Sequence, residues 1–114
     1  MKITIADALA KLPLPATEKW KLGVWDAKVM SHGTMTVEIF APKEFDYQTP
    51  HEQDELYIIV SGTGLIIIED KHFPFAPNDV LFVPAGAKHN FSEFTPDFVV
   101  WVVFYGVKGG EVSQ

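Results

Sequence analysis

The sequence predicts an all-β fold, a single domain built as an antiparallel sandwich or barrel. Short apolar segments recur at roughly even spacing, and each is bounded by Gly, Pro, Asn or Asp, the residues that end strands and form turns. Helical periodicity is confined to residues 4–12. The 114 residues suffice for one hydrophobic core, so a single domain over residues 1–114 is expected.

The first part of the chain, residues 1–40, is expected to hold one short helix followed by lead-in strands. Residues 4–12 (TIADALAKL) have helical apolar spacing, with Thr4 as a possible cap and a stop at Pro13. A β-hairpin is predicted after the helix, with its turn at residues 31–34 (SHGT).

The core of the barrel is expected over residues 41–105, and the tail 106–114 is expected to fray. Its strands are predicted at ELYIIVSG, GLIIIED, DVLFVPAG, HNFSEF and FVVWVVFYG. The last segment is apolar on both faces, and only one face can point into a barrel. The other face needs a cover, either the N-terminal segment or a second copy of the chain. A homodimer is favoured, because so large an apolar patch is rarely left in water.

Charge and composition exclude several classes of partner. The formal net charge is -6, and every one of the nine basic residues is a lysine, so nucleic acid and anionic membrane surfaces are not expected to bind. The longest apolar run is far shorter than a membrane span, and no secretory signal stands out. The chain has no cysteine, in keeping with a reducing compartment, and a cytoplasmic location is predicted.

Ionisable residues crowd the start of the most apolar strand, in PHEQDELYIIVSGTG (residues 50–64). On an extended strand Glu52 and Asp54 would face water, and one inward face would carry Thr49, His51, Gln53, Glu55 and Tyr57. His51 and Glu55 would then lie up to about 14 Å apart, too far to share one ion. A bulge at Gln53 and Asp54 is therefore required for a common site.

A second polar insertion follows the tight turn expected at Pro84 and Gly86, and it brings in His89. Together, His51, Glu55 and His89 would offer two imidazole nitrogens and one carboxylate. This set suits Fe(II) with open positions and also suits catalytic zinc. Gln53 could either complete the ligand set or only form a hydrogen bond to a ligand.

The two stretches resemble the two sequence motifs of the cupin family. The first motif, G-x5-H-x-H-x3,4-E-x6-G, is matched by His51, Glu55 and Gly62. The second motif, G-x5-P-x-G-x2-H-x3-N, is matched by Pro84, Gly86 and His89. Among the motif positions that differ, Thr49 stands for the first histidine of the first motif, and Asn78 and Glu93 stand for the glycine and the asparagine of the second.

The resemblance to a small single-domain bacterial cupin implies a jelly-roll barrel that binds a divalent metal, with Fe, Zn, Mn and Ni left open. It implies a metal-dependent enzyme of oxygenase or isomerase type acting on a small organic ligand, or else a non-catalytic binding module. A structural dimer with a degenerate site is a third alternative, because Thr49 replaces a motif histidine. The pocket above the metal could be lined by Thr49, Tyr57, Phe91 and Trp101, although core packing explains the aromatic residues equally well.

Overall fold

A computed structural model describes residues 1–112 as one short helix and eight strands. The elements are α1 (Ile5–Leu9), β1 (Asp26–His32), β2 (Met35–Phe40), β3 (Asp54–Ser61), β4 (Gly64–Ile68), β5 (Lys71–Phe75), β6 (Val80–Val83), β7 (His89–Ser92) and β8 (Val99–Tyr105). Strand β5 was not predicted from the sequence. Its Pro74 weakens the strand pattern but is tolerated, because β5 lies at the edge of its sheet.

The strands form two antiparallel sheets, which confirms the predicted all-β jelly-roll barrel. One sheet has five strands in the order β1-β2-β8-β3-β6, and the other has three in the order β5-β4-β7. The two sheets enclose a core rich in aromatic and β-branched side chains. The largest fully buried members of this core include Tyr57, Phe91, Phe98, Ile59 and Ile66.

Pairing register decides which side chains of the larger sheet point inward. Val102 lies between Glu38 on β2 and Tyr57 on β3, and Val102 and Tyr57 are both buried in the core. Side chains directly opposite one another share a face of the sheet, so Glu38 points into the barrel as well. The next position along the strands, with Ile39 opposite Trp101, faces outward.

Helix α1 covers part of the outward face. It begins with a capping box between Thr4 and Asp7, as the sequence predicts. Its Ala8 is fully buried with Ile39, and Trp101 packs against the same cluster. The N-terminal segment is therefore a cover for the outer face of β8, which removes the reason for which a homodimer was favoured. Trp101 lies outside the barrel, so its assignment to the internal pocket is wrong.

The segment after β8 is held against the start of β3. Asp54, expected to face water, is instead buried, and its carboxylate accepts hydrogen bonds from the backbone N–H groups of Glu111 at 2.8 Å and Ala85 at 3.0 Å. These two bonds lower the pKa of Asp54. The Gly109 N–H donates to the Glu52 carbonyl at 2.7 Å. Residues 106–111 thus make defined contacts where fraying was expected, and Ser113 and Gln114 lie outside the described residues.

Within residues 1–112, no helix has the length and hydropathy needed to cross a bilayer.

Candidate metal centre

Three parts of the chain bring the predicted ligands together. Glu55 is the second residue of β3 and points inward, His89 is the first residue of β7, and His51 lies in the loop before β3. One ligand atom from each side chain lies within 4.8 Å of the others. Ligands about 2.0–2.2 Å from a bound ion can be at most about 4.4 Å apart, so only a small contraction is needed to coordinate one ion.

His51 reaches the site from a loop, and the predicted bulge at Gln53 and Asp54 is wrong. Strand β3 begins only at Asp54, so the alternation of a strand does not extend back to His51. The His51 carbonyl accepts a hydrogen bond from the Gly86 N–H at 2.8 Å, which ties this loop to the turn before β7. The His51 ring packs edge-on against Phe104, with 4.8 Å between centroids.

The hydrogen bonds of His89 fix its tautomer and leave its Nε2 facing two other acceptor atoms. Its Nδ1 lies 2.9 Å from the Ala87 carbonyl, which can only accept, so Nδ1 carries the proton. Its Nε2 then faces Glu55 Oε1 at 3.0 Å and Gln48 Oε1 at 3.2 Å. With neutral His89, three acceptor atoms face one another. This arrangement is stable only if a proton or a metal cation lies among them.

Glu55 strengthens the case for a cation. Its side chain is 1% exposed, and neither carboxylate oxygen has a hydrogen-bond donor among the described residues unless His89 is protonated. A buried carboxylate without donors is costly, and metal coordination is one of the two usual ways to compensate it. Two nitrogens and one carboxylate oxygen also match the donor set of catalytic zinc and non-haem iron sites. The residues present therefore fit a divalent metal.

Gln48 is the site residue that the sequence did not reveal. Its Oε1 lies 3.1 Å from His51 Nε2 and 3.2 Å from His89 Nε2, and it accepts a hydrogen bond from the Tyr57 hydroxyl at 3.1 Å. Its Nε2 donates to Asp46 at 2.6 Å, which orients the amide oxygen toward the two histidines. Gln48 lies in an irregular loop, where no strand periodicity indicates which side chains point inward.

Gln53 and Thr49 do not take the places predicted for them. The Gln53 amide donates to the Thr34 carbonyl at 2.8 Å and the Gly106 carbonyl at 3.0 Å, so it joins the β1–β2 turn to the end of β8. Thr49 is exposed and lines a surface cleft beside His89. Of the predicted pocket residues, Tyr57 reaches the site through its bond to Gln48, whereas Phe91 packs in the core at 4.7 Å from the Tyr57 ring.

Burial and neighbouring charges separate the acid–base properties of the two histidines. Burial lowers the pKa of His51. Burial also acts to lower the pKa of His89. The hydrogen bonds that protonated His89 donates to Glu55 and to the Ala87 carbonyl, together with the negative charge of Glu55, outweigh burial and raise that pKa. Burial, reinforced by the charge of Glu55, raises the pKa of the Tyr57 phenol well above its ordinary value, so Tyr57 is a neutral donor.

Two further carboxyl groups lie on the inner face of the barrel. Asp26 is opposite Phe40 and Glu38 is opposite Lys28, so the two acids are diagonal neighbours on β1 and β2. Burial, followed by a hydrogen bond with Glu38, raises the pKa of Asp26 to about 9. Asp26 is consequently protonated at neutral pH. Glu38 also lines the same open cleft as His51, about 550 Å³ in volume, together with Lys28 and Lys108.

The comparison with protein families agrees with the fold and with the motif residues. The Cupin_2 family, described as the cupin domain, matches residues 36–105, which include His51, Glu55 and His89. The chain belongs to this family. Asn78 occupies the position where the second motif has glycine. Its φ is 74°, in the left-handed region where asparagine is tolerated in place of glycine.

The individual relatives are informative about the fold of this chain and not about its activity. An uncharacterized protein of Streptomyces coelicolor is 42% identical over 59 residues, which cover 52% of this chain and 56% of that protein. The chain thus spans just over half the length of this relative. The plu4264 protein of Photorhabdus luminescens has a TM-score of 0.63 at 16% identity, over 93% of this chain and 86% of that one. A cupin superfamily protein from Desulfitobacterium hafniense has a TM-score of 0.58 at 21% identity, over 69% and 73%.

Proposed function

We propose that this cupin binds a divalent metal ion through His51, Glu55 and His89, with Gln48 Oε1 as a fourth ligand. The observation that carries the proposal is the group of buried acceptor atoms around His89 Nε2, which a divalent metal ion would satisfy when His89 is neutral. Asp46 supports the set, because its hydrogen bond keeps the Gln48 oxygen directed at the site. Fe, Zn, Mn and Ni all remain open as the physiological ion.

We further propose that the chain is a metal-dependent enzyme acting on a small, oxygen-rich organic anion. A bound divalent ion would supply Lewis-acid activation of an oxygen donor. The cleft over His51 lies in the size range of small-molecule sites. A divalent ion with one carboxylate ligand would keep a net positive charge, which favours a negatively charged ligand.

The barrel's own residues favour proton transfer, an isomerase type of chemistry, over oxygenation. Glu38 borders the His51 cleft and points into the barrel, so its carboxylate is placed to accept or return a proton at a bound ligand. Tyr57 keeps its proton and holds Gln48 in place.

Metal analysis and turnover measurements test the proposal in two stages. Protein purified without an affinity tag is expected to contain about one equivalent of metal, and the His89→Ala variant is expected to lose it while retaining the β-sheet circular dichroism spectrum. Equal metal content in the variant would contradict the site. A panel of hydroxy acids, diketones and sugars is then assayed with each of the four metals. Metal binding without any turnover would instead indicate the alternative, a non-catalytic binding module.

A homodimer also stays a proposal, now on a different surface. Val80 and Phe82 on the edge strand β6 are 61% and 49% exposed, and Ile58 on the neighbouring strand is 37% exposed. A second copy would remove this contiguous apolar patch from water. Light scattering of the Phe82→Lys variant, which is expected to be monomeric, tests this surface. The cytoplasmic location remains a prediction.

A further inference from the structure

A second cavity, outside the barrel, lies between the segment that precedes β1 and the loop that follows β2. Its volume is about 440 Å³, within the range of small-molecule sites. We call it the aromatic pocket, because it is lined by the rings of Trp20, Trp25, Phe45 and Tyr47. It contains none of the predicted metal ligands, so it is a site distinct from the proposed metal centre.

The aromatic side chains make defined contacts with one another, and two of them, Phe45 and Tyr47, remain open to solvent. Trp25 donates its indole N–H to the Leu22 carbonyl at 2.9 Å, which satisfies its polar atom and fixes the ring. Tyr47 packs edge-on against Trp20 with centroids 5.5 Å apart, and it contacts Phe45 at 5.7 Å. Even so, Phe45 is 58% exposed and Tyr47 is 48% exposed. Clustered exposed rings of this kind mark a binding surface more often than a packing defect.

The rim of the aromatic pocket is positive, although the chain as a whole carries a net charge of -6. Lys19, Lys21 and Lys43 line it against the single acid Glu44. Lys43 Nζ lies 4.5 Å from the Trp25 ring centroid, and Lys19 Nζ lies 5.8 Å from the Trp20 centroid. These cation–π contacts hold the ammonium groups over the pocket. Within residues 1–112, neither lysine forms a salt bridge, so both are available to an external anion.

We propose that the aromatic pocket binds a planar aromatic anion, with an aryl carboxylate as the simplest member of the class. The exposed faces of Phe45 and Tyr47 would stack on the ring, and Lys43 and Lys19 would pair with the carboxylate. A ligand that uses the whole pocket needs both an aromatic ring and a negative charge, because the pocket supplies apolar walls and positive charge at one rim. The pocket shares Lys19 and Tyr47 with the surface cleft that also touches His89.

Calorimetric titration of metal-free protein with 2-naphthoate and with uncharged 2-naphthalenemethanol tests the proposal. The carboxylate is expected to bind at one site, at least about tenfold more tightly than the alcohol. Lys43→Met should weaken 2-naphthoate to the level of the alcohol, and Phe45→Ala should weaken both ligands. Lys71→Met, which removes an exposed lysine from β5, is the matched control and should change neither.

Several results would overturn the proposal. These are equal binding of the two ligands, no detectable binding of 2-naphthoate, and unchanged 2-naphthoate affinity in Lys43→Met. Conversion of a dimer to a monomer by Phe45→Ala would assign the pocket to a subunit interface instead. His89→Ala is expected to bind 2-naphthoate normally, so failure of the metal site and failure of the aromatic pocket can be told apart.

Discussion

His89 Nε2 lies 3.0 Å from Glu55 Oε1, and both side chains are 1% exposed. The Ala87 carbonyl places the proton of neutral His89 on Nδ1, so Nε2 has a lone pair. The short contact therefore brings the Nε2 lone pair against the Glu55 carboxylate. The Gln48 oxygen adds a third acceptor at 3.2 Å from the same nitrogen. These acceptors favour a bound cation, and metal binding should therefore respond to pH and to the residues that orient the acceptors.

Gln48 should contribute to metal affinity and Gln53 should not. Replacing Gln48 with Leu removes the amide oxygen near both imidazoles, and we expect affinity to fall by about tenfold to a hundredfold. Gln53→Leu is the matched control, because its amide bonds to the Thr34 and Gly106 carbonyls away from the site. Competition with a chelating dye measures both affinities. A Gln48→Leu variant with wild-type affinity would remove Gln48 from the ligand set.

Metal binding should weaken as the pH falls, because both imidazoles must be neutral to coordinate. The pKa of His89 is raised, so proton competition at this ligand should begin above pH 6.5, the ordinary histidine value. The lowered pKa of His51 makes that ring competitive only in more acidic solution. Calorimetric titrations in buffers of different ionisation enthalpy should detect proton release on binding. Constant affinity between about pH 8 and pH 6 would contradict this assignment.

Asp26→Asn should stabilise the metal-free protein, and the gain should grow with pH. The folded state raises the pKa of Asp26 from 3.8 to about 9, so it binds a proton that the unfolded chain releases over this window. The wild type therefore loses stability as the pH rises through it, whereas the neutral amide does not titrate. At pH 8 we expect a gain on the order of a few kcal/mol in the free energy of unfolding.

Urea denaturation at pH 5 and pH 8 measures the effect of Asp26→Asn. The groups that set the pKa of Asp26 besides burial are Glu38, Glu55 and Asp46, all of which disfavour its ionisation. Asp70→Asn, at an exposed position between β4 and β5, is a control for loss of one acid. A stability difference that does not change with pH would show that Asp26 titrates normally.

Trp101→Ala should undock helix α1 without disturbing the metal centre. The indole packs with the cluster of Ala8 and Ile39 on the outer face of the larger sheet. We expect unfolding free energy to fall by about 3 kcal/mol, the cost of removing a large packed side chain. Thermal unfolding followed by circular dichroism measures the loss, and dye competition should give unchanged metal affinity. A large loss of metal binding would mean that Trp101 supports the barrel interior after all.

Gly62→Ala should destabilise the fold far more than Gly33→Ala. Both glycines have positive φ, 87° for Gly62 and 57° for Gly33, so either alanine substitution costs about 1–2 kcal/mol in backbone strain. A Cβ on Gly62 would also lie 2.6 Å from the Phe98 Cα, whereas nothing lies within 4 Å of one on Gly33. The difference between the two variants in urea denaturation isolates this clash. Equal losses of unfolding free energy in the two variants would mean that the backbone at Phe98 moves away from the new Cβ at no cost.

The sequence was most informative where side-chain contacts are local or periodic. Alternating apolar residues and turn residues predicted the β-strands other than β5, whose Pro74 obscures the pattern. Motif spacing selected His51, Glu55 and His89, and the structure brings these three side chains together. Motif spacing is informative here because each of the three side chains lies at or near the start of a strand. At this end of the barrel, segments that are distant in sequence come close together.

By itself, the sequence determined the β class of the fold, which follows from the alternation of apolar residues and the turn residues between them, and its motif stretches contained the three residues His51, Glu55 and His89. Only the tertiary structure decided that Gln48 rather than Gln53 faces the histidines, and that α1 covers Trp101. It also placed Asp26 beside Glu38 and assembled the aromatic pocket from segments before β1 and after β2. The physical reason is that irregular loops have no fixed side-chain period, so the direction of each side chain depends on long-range packing and hydrogen bonds.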